Sequence, residues 1–240
     1  MAIIGTNIQG QDYDYGRKVE ILQSDGDGAA QAPWQPGRPL RPAIFVMRDR
    51  LICEEQPGCV LAVTPPALAF GALEGLRILA RLGTPIVLLM EQARVSHSLA
   101  VQQALELRHA RLVEQITEQG GRCDGVFACP HWPGEACDCR APQPTLLTTA
   151  AQALHLDLSR SALICDTWNQ AYAALSVRCQ PILAMTDCGR AEMAQPTWAE
   201  LHAQTWYAAD LVGAALCVEA TLSGQRLWQS LQPAQLAHAG

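Results

Sequence analysis

Between residues 43 and 185, short apolar runs of strand length alternate with longer segments whose apolar residues recur at helical spacing, and few folds accept that alternation. Ala43–Met47, Ile86–Met90, Gly125–Cys129, Ala162–Asp166 and Pro181–Met185 read as buried strands. Leu73, Leu76, Leu79 and Leu82 mark a helix stopped by Gly83. Val101, Leu105, Leu112 and Ile116 mark one face of a long helix closed by Gly120-Gly121. Leu147, Ala151 and Leu154 mark a third helix, and Ala171–Val177 reads as a short fourth. Strands that are apolar throughout are buried on both faces, so the pattern predicts an α/β fold: a doubly wound, Rossmann-like parallel sheet covered by helices. Ligands in such folds bind beyond the carboxyl ends of the strands.

A chain of 240 residues suits one generous domain. We expect it over residues 43–222, preceded by a flexible arm, 1–42, and followed by a tail, 223–240. The arm contains Asp25-Gly26-Asp27-Gly28 and Pro33, Pro36, Pro39 and Pro42, a composition of turns and linkers. Lys18–Leu22 could add one short strand, and Trp34 could pin the arm to a surface. Lys and Arg number 17 against 23 Asp and Glu, a net charge of -6, the wrong sign for a nucleic-acid partner. No apolar run approaches the ~20 residues of a membrane span. Met1–Gly10 lacks the features of a secretory signal, so the expected compartment is the cytoplasm.

Ten cysteines are many for a reducing compartment, and clustering there points to metal or thiol chemistry. Cys129, His131, Cys137 and Cys139 supply three thiols and an imidazole around a turn at Pro133-Gly134. This is the donor set of tetrahedral structural zinc, with no ligand position left open for water. Cys53, Cys59, Cys123, Cys165, Cys179, Cys188 and Cys217 are scattered and read as small apolar residues. A thiol-based redox or zinc-storage protein draws only on the cysteine count.

Ala43–Arg50, Ile86–Gln92, Cys129-x-His131 with Cys137-x-Cys139-Arg140-x-Pro142, and Ile164-Cys165-Asp166 together resemble the zinc-containing haloacid dehalogenase-like phosphatases. The heptose bisphosphate phosphatases and histidinol phosphatase domains are the most similar, and the likeness runs from Ala43 to Leu222. The resemblance implies a first strand ending in Asp-Arg-Asp-Gly, whose first Asp attacks phosphorus and binds magnesium and whose second is the general acid and base. Here Met47 stands at the first place, Asp49 at the second and Arg50 at the glycine. A thioether neither attacks phosphorus nor ligates magnesium, which demands hard oxygen donors. The implied Thr-Asn-Gln reads Met90-Glu91-Gln92, the implied Lys is Ala141, and of two implied aspartates Asp166 remains while Gln170 replaces the other.

The expected function is therefore that of a phosphatase-like protein without phosphoaspartate catalysis, carrying structural zinc and weakened toward magnesium, acting as a binding, scaffold or regulatory component. Asp49 and Asp166 are the remnant catalytic positions. Arg48, Arg50 and Arg140 could hold the anion of a phosphorylated small molecule, or else pair with Asp49, Glu91 and Asp166. The arm would contact a protein partner. Trp132 and Trp168 are expected on loops near the mouth of the site, filling or capping it or else in ordinary packing, and His97 on the surface. The competing expectation is an active metal-dependent sugar-phosphate phosphatase with a rearranged site, Asp49 or Asp166 activating water.

Overall fold

The structure, a computed structural model, describes residues 2–3, 20–21, 39–54, 66–91, 99–129, 131, 137–195 and 199–222. Two short strands, β1 (Ala2–Ile3) and β2 (Glu20–Ile21), pair antiparallel, so that part of the strand expected over Lys18–Leu22 is present. Trp34, His97, Trp132 and the tail over 223–240 lie outside the described residues.

The domain then runs β3 (Ile44–Met47), α1 (Ala72–Arg81), β4 (Ile86–Glu91), α2 (Leu99–Glu118), β5 (Gly125–Cys129), α3 (Thr145–Leu154), β6 (Ala162–Cys165), α4 (Trp168–Ser176), β7 (Gln180–Ala184), α5 (Asp187–Met193), α6 (Ala199–His202), β8 (Trp206–Ala208) and α7 (Leu211–Leu222). Among the described residues, six strands form one parallel sheet in the order β5-β4-β3-β6-β7-β8. Every residue of β3, β5 and β6 is buried, which is why those strands read as unbroken apolar runs rather than alternating ones.

The helices follow from local sequence. Leu76, Ile78 and Leu79 bury one side of α1, and Gly83 beyond its end takes the left-handed φ of 69° that ends helices readily at glycine. Gly120, at φ 82°, does the same after α2, where Leu112 and Ile116 are buried. The Val101 and Leu105 part of that stripe falls where only the backbone is described. α1 packs against α7 so closely at Gly75 that a β-carbon there would come within 2.7 Å of Leu211.

Chain direction out of β3 reverses across the sheet: β4 and β5 lie on one side of it, β6, β7 and β8 on the other. The carboxyl ends of β3 and β6 thus flank the switch point, where α/β sheets open a crevice. No helix among the described residues is long and apolar enough to cross a membrane.

Candidate functional site

Beyond β3 the chain turns sharply. The backbone N–H groups of Ile52 and Cys53 both donate to the Arg48 carbonyl, and the Arg50 N–H donates to that of Cys53. Inside this turn Arg50 holds a φ of 66°, the left-handed region that glycine enters freely and arginine does not. Met47, the last residue of β3, is 4% exposed and belongs to the core.

Parallel pairing of β3 with β6 brings Arg50 to Asp166, 116 residues away, at the next strand's carboxyl end. Arg50 Nε donates to Asp166 Oδ2 at 2.5 Å and Nη2 to Oδ1 at 2.9 Å, a two-pronged pair on a carboxylate with no solvent exposure. The Thr186 hydroxyl, just after β7, donates to Oδ2 at 3.0 Å. Gln170 Oε1 accepts from the Asp166 N–H at 3.3 Å, and its side chain also hydrogen-bonds Glu91. Both carboxylate oxygens of Asp166 are therefore already engaged.

Arg48, Asp49, Glu91 and Arg140 are paired as well. Arg48 donates to Asp49 Oδ1, from Nε at 2.8 Å and also from Nη2, while its Nη1 lies 3.4 Å from His109 Nε2. Burial pushes the His109 imidazole down to about 3, and the guanidinium groups of Arg48 and Arg108 add to that push. Glu91, ending β4, accepts the Ala141 N–H at 2.7 Å, and its Oε2 lies 3.7 Å from Arg140 Nη1. Burial raises its carboxyl above the usual range, against the lowering by the Ala141 N–H and the Arg140 charge. Arg140 also donates to the His131 carbonyl at 2.6 Å.

Cys129, His131, Cys137 and Cys139 meet: one ligand atom from each lies within 4.8 Å of all the others. Cys129 Sγ is 3.7 Å from both Cys137 Sγ and His131 Nδ1, 3.2 Å from Cys139 Sγ, and His131 Nδ1 is 3.1 Å from Cys139 Sγ. Ligands about 2.3 Å from a tetrahedral centre stand roughly 3.7 Å apart, so the group fits a metal ion with modest opening. Hydrogen bonding by Cys139, and secondarily by His131, draws the Cys129 thiol down to about 5, while the adjoining Cys129 sulfur drives Cys139 upward.

Of the two expectations for Trp168, capping the mouth or ordinary packing, the structure shows packing. It is fully buried, its backbone N–H and Nε1 donate to Glu192, and its ring packs on His202 with centroids 4.6 Å apart. Thr186 and His109 were missed from the sequence. Thr186 carried one legible signal, since it caps α5 by accepting the Gly189 N–H at 3.1 Å. Gln170, which stands where the resemblance implies an aspartate, joins Asp166 to Glu91.

Magnesium does not fit the donors at the strand ends. Met47 offers a buried sulfur, Asp49 is paired with Arg48, and both oxygens of Asp166 face a guanidinium.

No family model matches the chain. The D-glycero-beta-D-manno-heptose-1,7-bisphosphate 7-phosphatase of Pseudomonas aeruginosa is 32% identical over 125 residues, 52% of this chain and 70% of that protein. The phosphatase of the same name from Bordetella bronchiseptica is 26% identical over 152 residues, 63% of this chain and 85% of that one. The crystal structure of the D,D-heptose 1,7-bisphosphate phosphatase from B. bronchiseptica, complexed with magnesium and phosphate, superposes with a TM-score of 0.66 at 24% identity. It covers 75% of this chain and 99% of its own, a likeness of fold.

Proposed function

From the premise that the chain belongs to the heptose-1,7-bisphosphate phosphatase family of the haloacid dehalogenase-like superfamily, we propose that it keeps the scaffold without phosphoaspartate hydrolysis and works by binding. Met47, buried at the end of β3 where the attacking carboxylate would stand, carries this reading. Deleting the nucleophile of a hydrolase costs on the order of 10⁶ in rate, and Met47 leaves no carboxylate there to form the covalent intermediate.

In this reading Cys129, His131, Cys137 and Cys139 hold one structural zinc, since three thiols and an imidazole are the soft set that zinc takes. The metal braces the loop after β5, and Arg140 and Glu91 tie that loop to the end of β4. Residues 1–42 contact a protein partner in the cytoplasm. A phosphorylated small molecule, if one binds, is met by Arg48, Arg50 and Arg140 at the strand ends.

The names of the relatives favour a second reading, an active metal-dependent phosphatase with a rearranged site, and Asp49 and Asp166 survive at the strand ends to support it. The two separate on one assay. The purified chain with magnesium is given p-nitrophenyl phosphate and D-glycero-beta-D-manno-heptose 1,7-bisphosphate, and phosphate release is followed. We expect no release above the protein-free rate. Turnover that Asp166→Ala abolishes would establish the second reading instead.

A further inference from the structure

We infer that Arg50 is a built-in substitute for a divalent cation, making the folded site independent of magnesium. The inference rests on the family reading above for where a metal would be expected. Its own support is the geometry around Asp166.

A carboxylate fully removed from water must regain its lost hydration from cations or hydrogen-bond donors. Arg50 supplies one with two parallel hydrogen bonds, and the Thr186 hydroxyl supplies a third donor. Arg50 makes this pair from a left-handed backbone, a conformation costly for any residue with a β-carbon. That strain is retained with the side chain in the ion pair rather than relieved by glycine. Among the described residues three ion pairs form at the strand ends without a metal: Arg48 with Asp49, Arg50 with Asp166, and Arg140 with Glu91. A divalent ion at Asp166 would stand beside the Arg50 guanidinium and compete with it for both carboxylate oxygens. A guanidinium differs from a bound metal in one decisive respect, because it cannot dissociate.

The test uses the full zinc-loaded chain, thermally unfolded with and without millimolar magnesium. The wild-type midpoint should be unchanged by magnesium. Arg50→Gly, which also relieves the left-handed strain, should lower the midpoint, and magnesium should restore it saturably. Arg50→Gly combined with Asp166→Asn should show no response. A saturable magnesium shift in the wild type would overturn the inference, as would an Arg50→Gly protein that magnesium cannot rescue. Should that variant fail to fold, manganese binding to the wild type by electron paramagnetic resonance decides: bound manganese overturns the inference, and none upholds it. Phosphoester turnover without magnesium would sink the binding function proposed above while leaving Arg50 in this role.

Discussion

Glu91 Oε1 accepts the backbone N–H of Ala141 at 2.7 Å, joining the end of β4 to the segment just past the metal-ligand loop. Burial holds the partly buried Glu91 carboxyl above its usual range, and this donor and Arg140 counter part of that effect. Glu91→Ala leaves that N–H without its partner and should cost about 1–3 kcal/mol in urea unfolding. The same variant should release its metal faster to a chromogenic chelator. Glu91→Gln, which keeps an acceptor, should recover most of both losses.

His109 gives a pH dependence of known sign. Its folded value is held near 3, below the ordinary 6.5, so the unfolded chain binds the extra proton first as pH falls. This contribution to stability is complete above about 6.5 and drains away toward 3, at up to roughly 1.4 kcal/mol per pH unit. Unfolding midpoints measured from neutral pH to pH 4 should show that slope, and His109→Gln should flatten it.

Metal should be present at one ion per chain, and Cys129→Ser or Cys139→Ser should lower both metal content and thermal stability. The metal-loaded protein should resist iodoacetamide at Cys53, which burial pushes up to about 11, and at buried Cys165 and Cys179. After chelation, Cys129 should be alkylated ahead of these three, read by peptide mass spectrometry. Equal labelling of all four would contradict the ordering.

Two glycines should respond very differently to alanine. A β-carbon at Gly189 would fall 2.0 Å from the Ala184 carbonyl oxygen, so β7 and α5 must separate, at a cost of roughly 2–4 kcal/mol. At Gly83 nothing lies within 4 Å, and only its φ of 69° resists the change, at about 1 kcal/mol. Denaturant midpoints of the two variants rank them directly.

The strands from β3 to β7 were readable as short unbroken apolar runs and helices α1 to α4 from apolar residues at helical spacing, two of them closed by glycine. β8 has only Trp206, Tyr207 and Ala208, too few residues for a period to register. α7 is apolar nearly all round, so no stripe betrayed it. The four metal ligands were legible because they lie within eleven residues of one another in the chain. Arg50 and Asp166 each stood out, but their partnership was one of two options, because sheet order rather than spacing brings them together. His109 was invisible for the same reason: only the fold sets it against Arg48.

The left-handed turn at Arg50 also bears on ancestry. Arginine and glycine codons of the CGN and GGN kinds differ by a single base, so one mutation could remove the guanidinium and relax the backbone together. Methionine and aspartate codons differ at every base, so a carboxylate at residue 47 lies three base changes away. If the binding function proposed above holds, opening a cation niche at Arg50 and restoring an attacking carboxylate at residue 47 stand one base and three bases away.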